Sequence, residues 1–368
     1  MAKQIVKFNN SANPDFIRTL RTNVNKYFMD NNLSKYGNMN MYLKTAFMIS
    51  VYFIPLLFLI TGNVSSTGVM YLLWFIMGCG MAGIGLSIMH DANHGAYSKN
   101  RKVNAFFGWI VNFLGAYHIN WIIQHNVLHH SFTNIEGHDE DISKPVMRFS
   151  PNQPPQKKYK YQAYYAPFFY GLLNIYWLLA KDIDQVSRYG KRNLLKAQNR
   201  TFKSAFAEIL FYKISYIFLT LVLPIIVLDI PWGHILLGFL MMQFVSGMIL
   251  SLIFQAAHVL EETEFFVQDE DGCVENNFAI HQLKTTSNFA NDNKLFSWLI
   301  GGLNFQVEHH LFPNICHVHY RAISKIVKKT AKEYGVPYNS HKTYYEALRS
   351  HFSLLNKLGR DLPLKPAA

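Results

Sequence analysis

Gln306-Val307-Glu308-His309-His310 is the run on which the reading of this chain turns, and it turns together with two earlier runs. Those are His90-Asp91-Ala92-Asn93-His94 and His125-Asn126-Val127-Leu128-His129-His130. Seven histidines thus fall in three tight clusters, separated by long apolar stretches. A bare membrane scaffold has no use for that pattern, whereas a metal site does. His90 and His94 stand four apart at the end of an apolar run. Four residues turn a helix by about 400°, so both rings share a face. His125 and His129 repeat the spacing, and His130 follows about 100° round the helix, which predicts that it faces a second metal. Gln306 sits where another histidine would complete an HxxHH run. Its amide oxygen can ligate a metal or hydrogen-bond a group that does.

His258, in Gln255-Ala256-Ala257-His258 after another apolar run, is an eighth candidate ligand. Eight imidazoles exceed the needs of one four- to six-coordinate ion, so two ions are expected. Imidazole suits zinc, copper, iron and nickel alike. Metal-bound histidines need acceptors for the other ring nitrogen, and Asp91, Glu308, Asp139 and Asp141 are the carboxylates close enough in sequence to serve. His118 and His234 read as amphipathic anchors at a membrane boundary. His281 is expected near the site without ligating. His138, His317 and His319 read as loop or packing residues.

The composition explains the apolar stretches. Of 368 residues 50% are apolar and only 16% charged, against about 25% in soluble domains. Four runs, at about 45–61, 68–89, 209–228 and 233–256, are long and uncharged enough to span a bilayer. They predict an all-α integral membrane protein with two helical hairpins. Two aromatic runs, 103–123 and 161–180, are also apolar, but a single extra span at either place would put histidine clusters on opposite sides. Their Trp and Tyr content predicts helices lying in the interface. The turns 62–67 and 229–232 carry no Lys or Arg, while 95–205 carries fifteen and 259–368 twelve. Positive charge marks the cytoplasmic side, so the histidines and both termini are expected there, as a helical cap. A polar N-terminal segment, 1–40, is expected to hold a helix from Asp15 to Met29, and it lacks the apolar core of a signal peptide. Cys79, Cys273 and Cys316 are too scattered for a disulfide framework or a thiolate site. The net charge of +12 follows the membrane loops, so no nucleic-acid partner is expected.

These runs resemble the three histidine boxes of the membrane fatty acid desaturase superfamily: HxxxH at His90–His94, HxxxHH at His125–His130 and QxxHH at Gln306–His310. The order, the intervening pair of spans and the flanking Ser131-Phe132-Thr133-Asn134 and Leu311-Phe312-Pro313 fit as well. The resemblance covers about 40–320. It implies a membrane desaturase domain at 41–320 followed by a cytoplasmic tail, 321–368. It also implies two non-haem iron ions held by the box histidines, a further histidine ligand falling on His258, O2 as co-substrate, and an acyl-CoA or acyl-lipid substrate. The glutamine in the third box resembles front-end desaturases (Δ5, Δ6 and Δ8 types) and bacterial linoleoyl-CoA desaturase-like proteins. The chain contains no HPGG haem motif of a fused cytochrome b5, so a separate donor of ferredoxin or cytochrome b5 type is expected. Two other readings stand beside this one. A sister hydroxylase or ketolase would place oxygen in the product. A metal transporter would need ionisable residues along its spans, and these spans offer almost none.

Overall fold

The computed structural model describes residues 6–9 and 13–364. The first residues of the expected N-terminal segment and the last of the expected tail lie outside them. Helices dominate. Regular strands among the described residues are two short parallel pairs, Lys7–Phe8 beside Cys273–Val274 and Ser287–Phe289 beside Asn339–His341. The chain divides into two compact units. One comprises Asn38–Gln124 and Pro167–Leu252, the other Met1–Gly37, His125–Ala166 and Ile253–Ala368.

The first unit holds most of the apolar length. Helices Met39–Ile60, Thr67–Asn93, Phe202–Val227 and Trp232–His258 are each long and apolar enough to cross a membrane. The expected spans at 68–89 and 233–256 lie within one of them, those at 45–61 and 209–228 run one residue past the helix end, and the helices otherwise begin or end a few residues beyond the apolar runs. Polar caps account for part of the difference. The Asn38 side chain accepts from the Met41 amide, and Thr201 forms a capping box with Ser204, so both helices start in polar sequence. Glycines permit close helix contact. A Cβ on Gly80 would stand 2.8 Å from the Tyr52 amide nitrogen, and one on Gly78 2.9 Å from the Met242 carbonyl oxygen. Ile54, Leu57, Phe211, Ile226 and Leu237 point outward, exposed, as a lipid-facing surface requires.

The run at 103–123 is not one straight helix. Arg101–Trp109 continues into a 3-10 turn, Ile110–Leu114, and ends at Gly115 with φ 83°. The chain then restarts at His118, and the two arms are bent by 109°. At 161–180 the helices Gln162–Gly171 and Leu173–Tyr176 lead through a π-helical turn, Trp177–Lys181, into Asp182–Lys191. Lys213, within the third long helix, is buried. Its ammonium lies 2.9 Å from the Asp182 carboxylate and also donates to the carbonyls of Gly115 and Trp177. Asp182 in turn accepts from the Tyr117 amide and the Trp177 indole.

In the second unit, helix Pro14–Asp30 matches the expected 15–29 helix closely. Its Phe16, Leu20 and Val24 pack with Ile323, Val327 and Ala331 of helix Tyr320–Glu333. The same core takes in Val307 and Leu311 of helix Gln306–Leu311 and Ile280 and Leu283 of helix Phe278–Thr285. The third histidine box is therefore seated on a hydrophobic core of its own.

Removing one partner of a buried ion pair leaves an uncompensated charge, which costs about 3–5 kcal/mol. Lys213→Ala is expected to lose stability on that scale in thermal unfolding of the detergent-solubilised protein. Arg188→Ala, which breaks an exposed pair with Asp184, is expected to cost less than about 1 kcal/mol.

Candidate metal centre

The local backbone is unusual at the first two boxes. Ile84–Met89, immediately before His90, is π-helical, and so is Ile122–His129. A π-turn closes i to i+5 rather than i to i+4, and such turns are frequent at functional sites. The consequence at the second box departs from the α-helical expectation. His130 does not swing away from His125: the two Nε2 atoms lie 3.2 Å apart. His125 and His129 remain stacked, with ring centroids 5.5 Å apart. In the first unit, His90 and His94 come together as expected, their centroids 4.9 Å apart beside Trp121.

Each of four histidines in the second unit has its Nδ1 at an oxygen. His129 Nδ1 lies 3.1 Å from Asp139 Oδ2 and 3.5 Å from Asp141 Oδ2. His258 Nδ1 donates to the Thr285 carbonyl (3.2 Å), and His310 Nδ1 donates to Gln282 Oε1 (2.8 Å). His309 Nδ1 lies 3.2 Å from the Tyr320 hydroxyl. A proton held on Nδ1 leaves Nε2 as the lone-pair nitrogen. Asp139 is itself fixed by the amides of Asn134 and Asp141. Asn134, in left-handed conformation at φ 55°, also donates to the His258 carbonyl. Gln282 additionally donates to the His130 carbonyl, so one side chain ties the second box to the third.

Ligating atoms of His129, His258 and His310 lie within 4.8 Å of one another, and so do those of His130, His309 and His310. His125, His129 and Asp141 form a further set. His129 Nε2 and His258 Nε2 are buried without a hydrogen-bond partner, a costly state that a bound cation relieves. Two imidazole nitrogens about 2.1 Å from one ion and at right angles stand about 3.0 Å apart, close to the His125–His130 separation. The donor set therefore fits metal binding. Gln306 is buried, and its side chain lies beside the His258 ring.

The remaining candidates separate cleanly. His90 Nδ1 lies 3.7 Å from Asp91. Glu308 accepts from Asn288 Nδ2 and the Tyr338 hydroxyl instead of meeting a histidine, and Asn288 also accepts from the Val307 amide. These contacts brace the third box from the Ser287–Phe289 strand. Burial raises the Glu308 pKa to about 7, although both donors oppose that shift. His281 Nε2 donates to the Thr133 carbonyl (2.7 Å), and burial lowers its pKa to about 4. His138 bonds Gln268 and His319 the Tyr36 carbonyl, as loop-packing residues do. Sequence reasoning missed Gln282, Tyr320, Thr285 and Asn288, because each reaches its partner across a turn or a long sequence gap.

Helices of membrane-spanning length with clustered, oriented imidazoles that could bind metal are the features of a histidine-box membrane protein. Residues 66–342 match the family model for fatty acid desaturases, and the chain belongs to that family. It is 35% identical to an sn-1 linoleoyl-lipid 6-desaturase of Synechocystis, over 94% of this chain and 96% of the relative. It is 35% identical to an acyl-lipid (8-3)-desaturase of Physcomitrium patens, over 97% of this chain and 74% of the relative. A Delta(5) fatty acid desaturase A of Dictyostelium discoideum is 29% identical over 94% and 75%. The protein is a membrane fatty acid desaturase, an oxidoreductase acting on fatty acyl chains.

Loss of a group that orients a ligand typically costs 10–100-fold in metal affinity. Asp139→Asn and Gln282→Leu are each expected to show that loss in competition titrations against a chelator. A carboxyl whose folded pKa is raised contributes stability that is complete below its unfolded pKa and is lost as pH rises through the folded one. For Glu308 that window runs from about 4.5 to about 7. Glu308→Gln is expected to flatten the pH dependence of melting temperature of the metal-free protein across it.

Proposed function

We propose that the protein is an O2-dependent front-end desaturase. It inserts a cis double bond between an existing double bond and the carboxyl end of an acyl chain carried on a lipid. Two iron ions are held by His90, His94, His125, His129, His130, His258, His309 and His310, with Gln306 beside or within the ligand set. The observation that carries this reading is the pair of histidine sets meeting at His310, with the Nδ1 atoms of His129, His258, His309 and His310 each at an oxygen. The names of the relatives support the position of the new bond and the lipid carrier.

Removing hydrogen from an unactivated methylene needs an oxidant stronger than any side chain. The iron pair, when bound, supplies that oxidising power from O2 and donated electrons. This chain's own residues do the rest. Asp139, the Thr285 carbonyl and Gln282 hold protons at Nδ1 of His129, His258 and His310, keeping Nε2 available. Asn288 and Tyr338 anchor Glu308 and thereby the backbone of the third box. Burial of the histidines excludes water from the reacting methylenes.

The chain crosses the bilayer four times, as two helical hairpins. The runs at 103–123 and 161–180 lie at the interface, and the histidine-bearing segments form a cytoplasmic cap with both termini. The turns at 62–67 and 229–232, which carry no Lys or Arg, support this orientation. Electrons come from a separate carrier protein. Expression of the full chain in a host containing linoleoyl lipids is expected to yield a fatty acid with one more double bond, nearer the carboxyl group. His310→Ala is expected to abolish that product and the bound iron while membrane insertion persists. Oxygen-18 retained in the lipid product, or full activity of His310→Ala, would overturn the reading.

A further inference from the structure

The paired helices Pro14–Asp30 and Tyr320–Glu333 present a strongly basic outer face. Residues 13–35 and 320–334 carry nine basic side chains against three acidic ones. Lys325, Lys328 and Lys332 repeat at helical spacing and are exposed, and so are Arg21 and Lys26 on the neighbouring helix. None of these five forms an ion pair among the described residues. The apolar stripe of the second helix, Ile323, Val327 and Ala331, is buried against Phe16, Leu20 and Val24. It therefore offers no apolar face for insertion into a bilayer, as an interfacial anchor would. The same helix begins at Tyr320, whose hydroxyl lies 3.2 Å from His309 Nδ1. Arg321 stacks over Phe305 next to the third box, 5.6 Å from the ring centroid. A basic surface is thus joined by one side chain to a metal-binding histidine.

We propose that this face is the docking surface for an acidic one-electron carrier protein, and that Tyr320 and His309 form the nearest covalent and hydrogen-bonded route from it to the metal centre. The inference rests on the desaturase reading, because that reaction requires such a partner. The acyl chain gives up two hydrogen atoms. Reduction of O2 to two waters takes four electrons and four protons. Two electrons and two protons come from the substrate, two electrons arrive singly from the carrier, and two protons come from water. Charge complementarity selects the partner: steering by opposite charges raises association rates and weakens with salt. The lysine stripe therefore governs carrier affinity, leaving metal binding to the histidines.

The test uses the full-length protein in nanodiscs of neutral phosphatidylcholine. Binding of a plant-type [2Fe–2S] ferredoxin and, separately, of a soluble cytochrome b5 haem domain is measured directly, with iron content and acyl products followed in parallel. At least one carrier is expected to bind, with affinity falling steeply as ionic strength rises over a few Debye lengths' worth of screening. The combined variant Lys325→Glu, Lys328→Glu and Lys332→Glu is expected to weaken binding at least about tenfold with iron content unchanged. Unchanged affinity in the variant, or no binding of either carrier to wild type, would overturn the proposal. So would an effect of the variant confined to discs containing phosphatidylglycerol, which would assign the face to anionic lipid. If a carrier binds through this face but wild type forms no new double bond, it is the desaturase reading that fails.

Discussion

Leaving a buried imidazole nitrogen without a partner costs about 1–3 kcal/mol, and His129 Nε2 and His258 Nε2 are placed where only a bound group would remove that cost. Much of the second unit is arranged around holding those rings in that state. Their other nitrogens are secured by Asp139 and the Thr285 carbonyl, so the rings cannot relax by flipping without giving up a hydrogen bond. A bound cation turns an unfavourable arrangement into a favourable one, which couples metal binding to the stability of the folded unit.

The supporting structure is built in layers. Asn134 holds the Asp139 carboxylate through its backbone N–H and the His258 carbonyl through its side chain. Gln282 holds His310 and the backbone of His130. Asn288 holds the amide of Val307 and the carboxylate of Glu308. The Gln282 and Asn288 side chains each use a donor and an acceptor, so each joins an N–H on one segment to an oxygen on another. Beneath them, Val307 and Leu311 anchor the third box in the core shared with helices Pro14–Asp30 and Tyr320–Glu333. Polar precision at the histidines thus rests on ordinary apolar packing.

Much of this was legible in the chain itself, and the reasons differ by feature. Spans are legible because hydrophobic length is a local property, and each expected run coincides with a long apolar helix to within a few residues at its ends. The helix ends were less so, since Asn38 and Thr201 cap in polar sequence outside the apolar runs. Histidine clusters are legible because spacing carries geometry. The second box shows the limit of that inference: reading 3.6 residues per turn placed His130 away from His125, but the π-helical backbone brings them together. Nothing in the local composition of Ile122–His129 announces a π-turn. Asp139 and Asp141 were found as partners of His129 because they lie near it in sequence. Gln282 and Tyr320 were not, because hydrogen bonds between distant segments leave no local signature. Glu308 shows the converse, an acidic neighbour of two histidines whose bonds run to Asn288 and Tyr338.

The central claim is that the histidine sets meeting at His310 hold two iron ions in an environment dominated by imidazole nitrogen. Elemental analysis of the purified wild-type protein, combined with iron X-ray absorption on the same sample, tests it most directly. Two iron ions per chain, with a first coordination shell dominated by nitrogen, is the predicted result. One ion or fewer per fully folded chain, or a shell dominated by sulfur, would contradict the account.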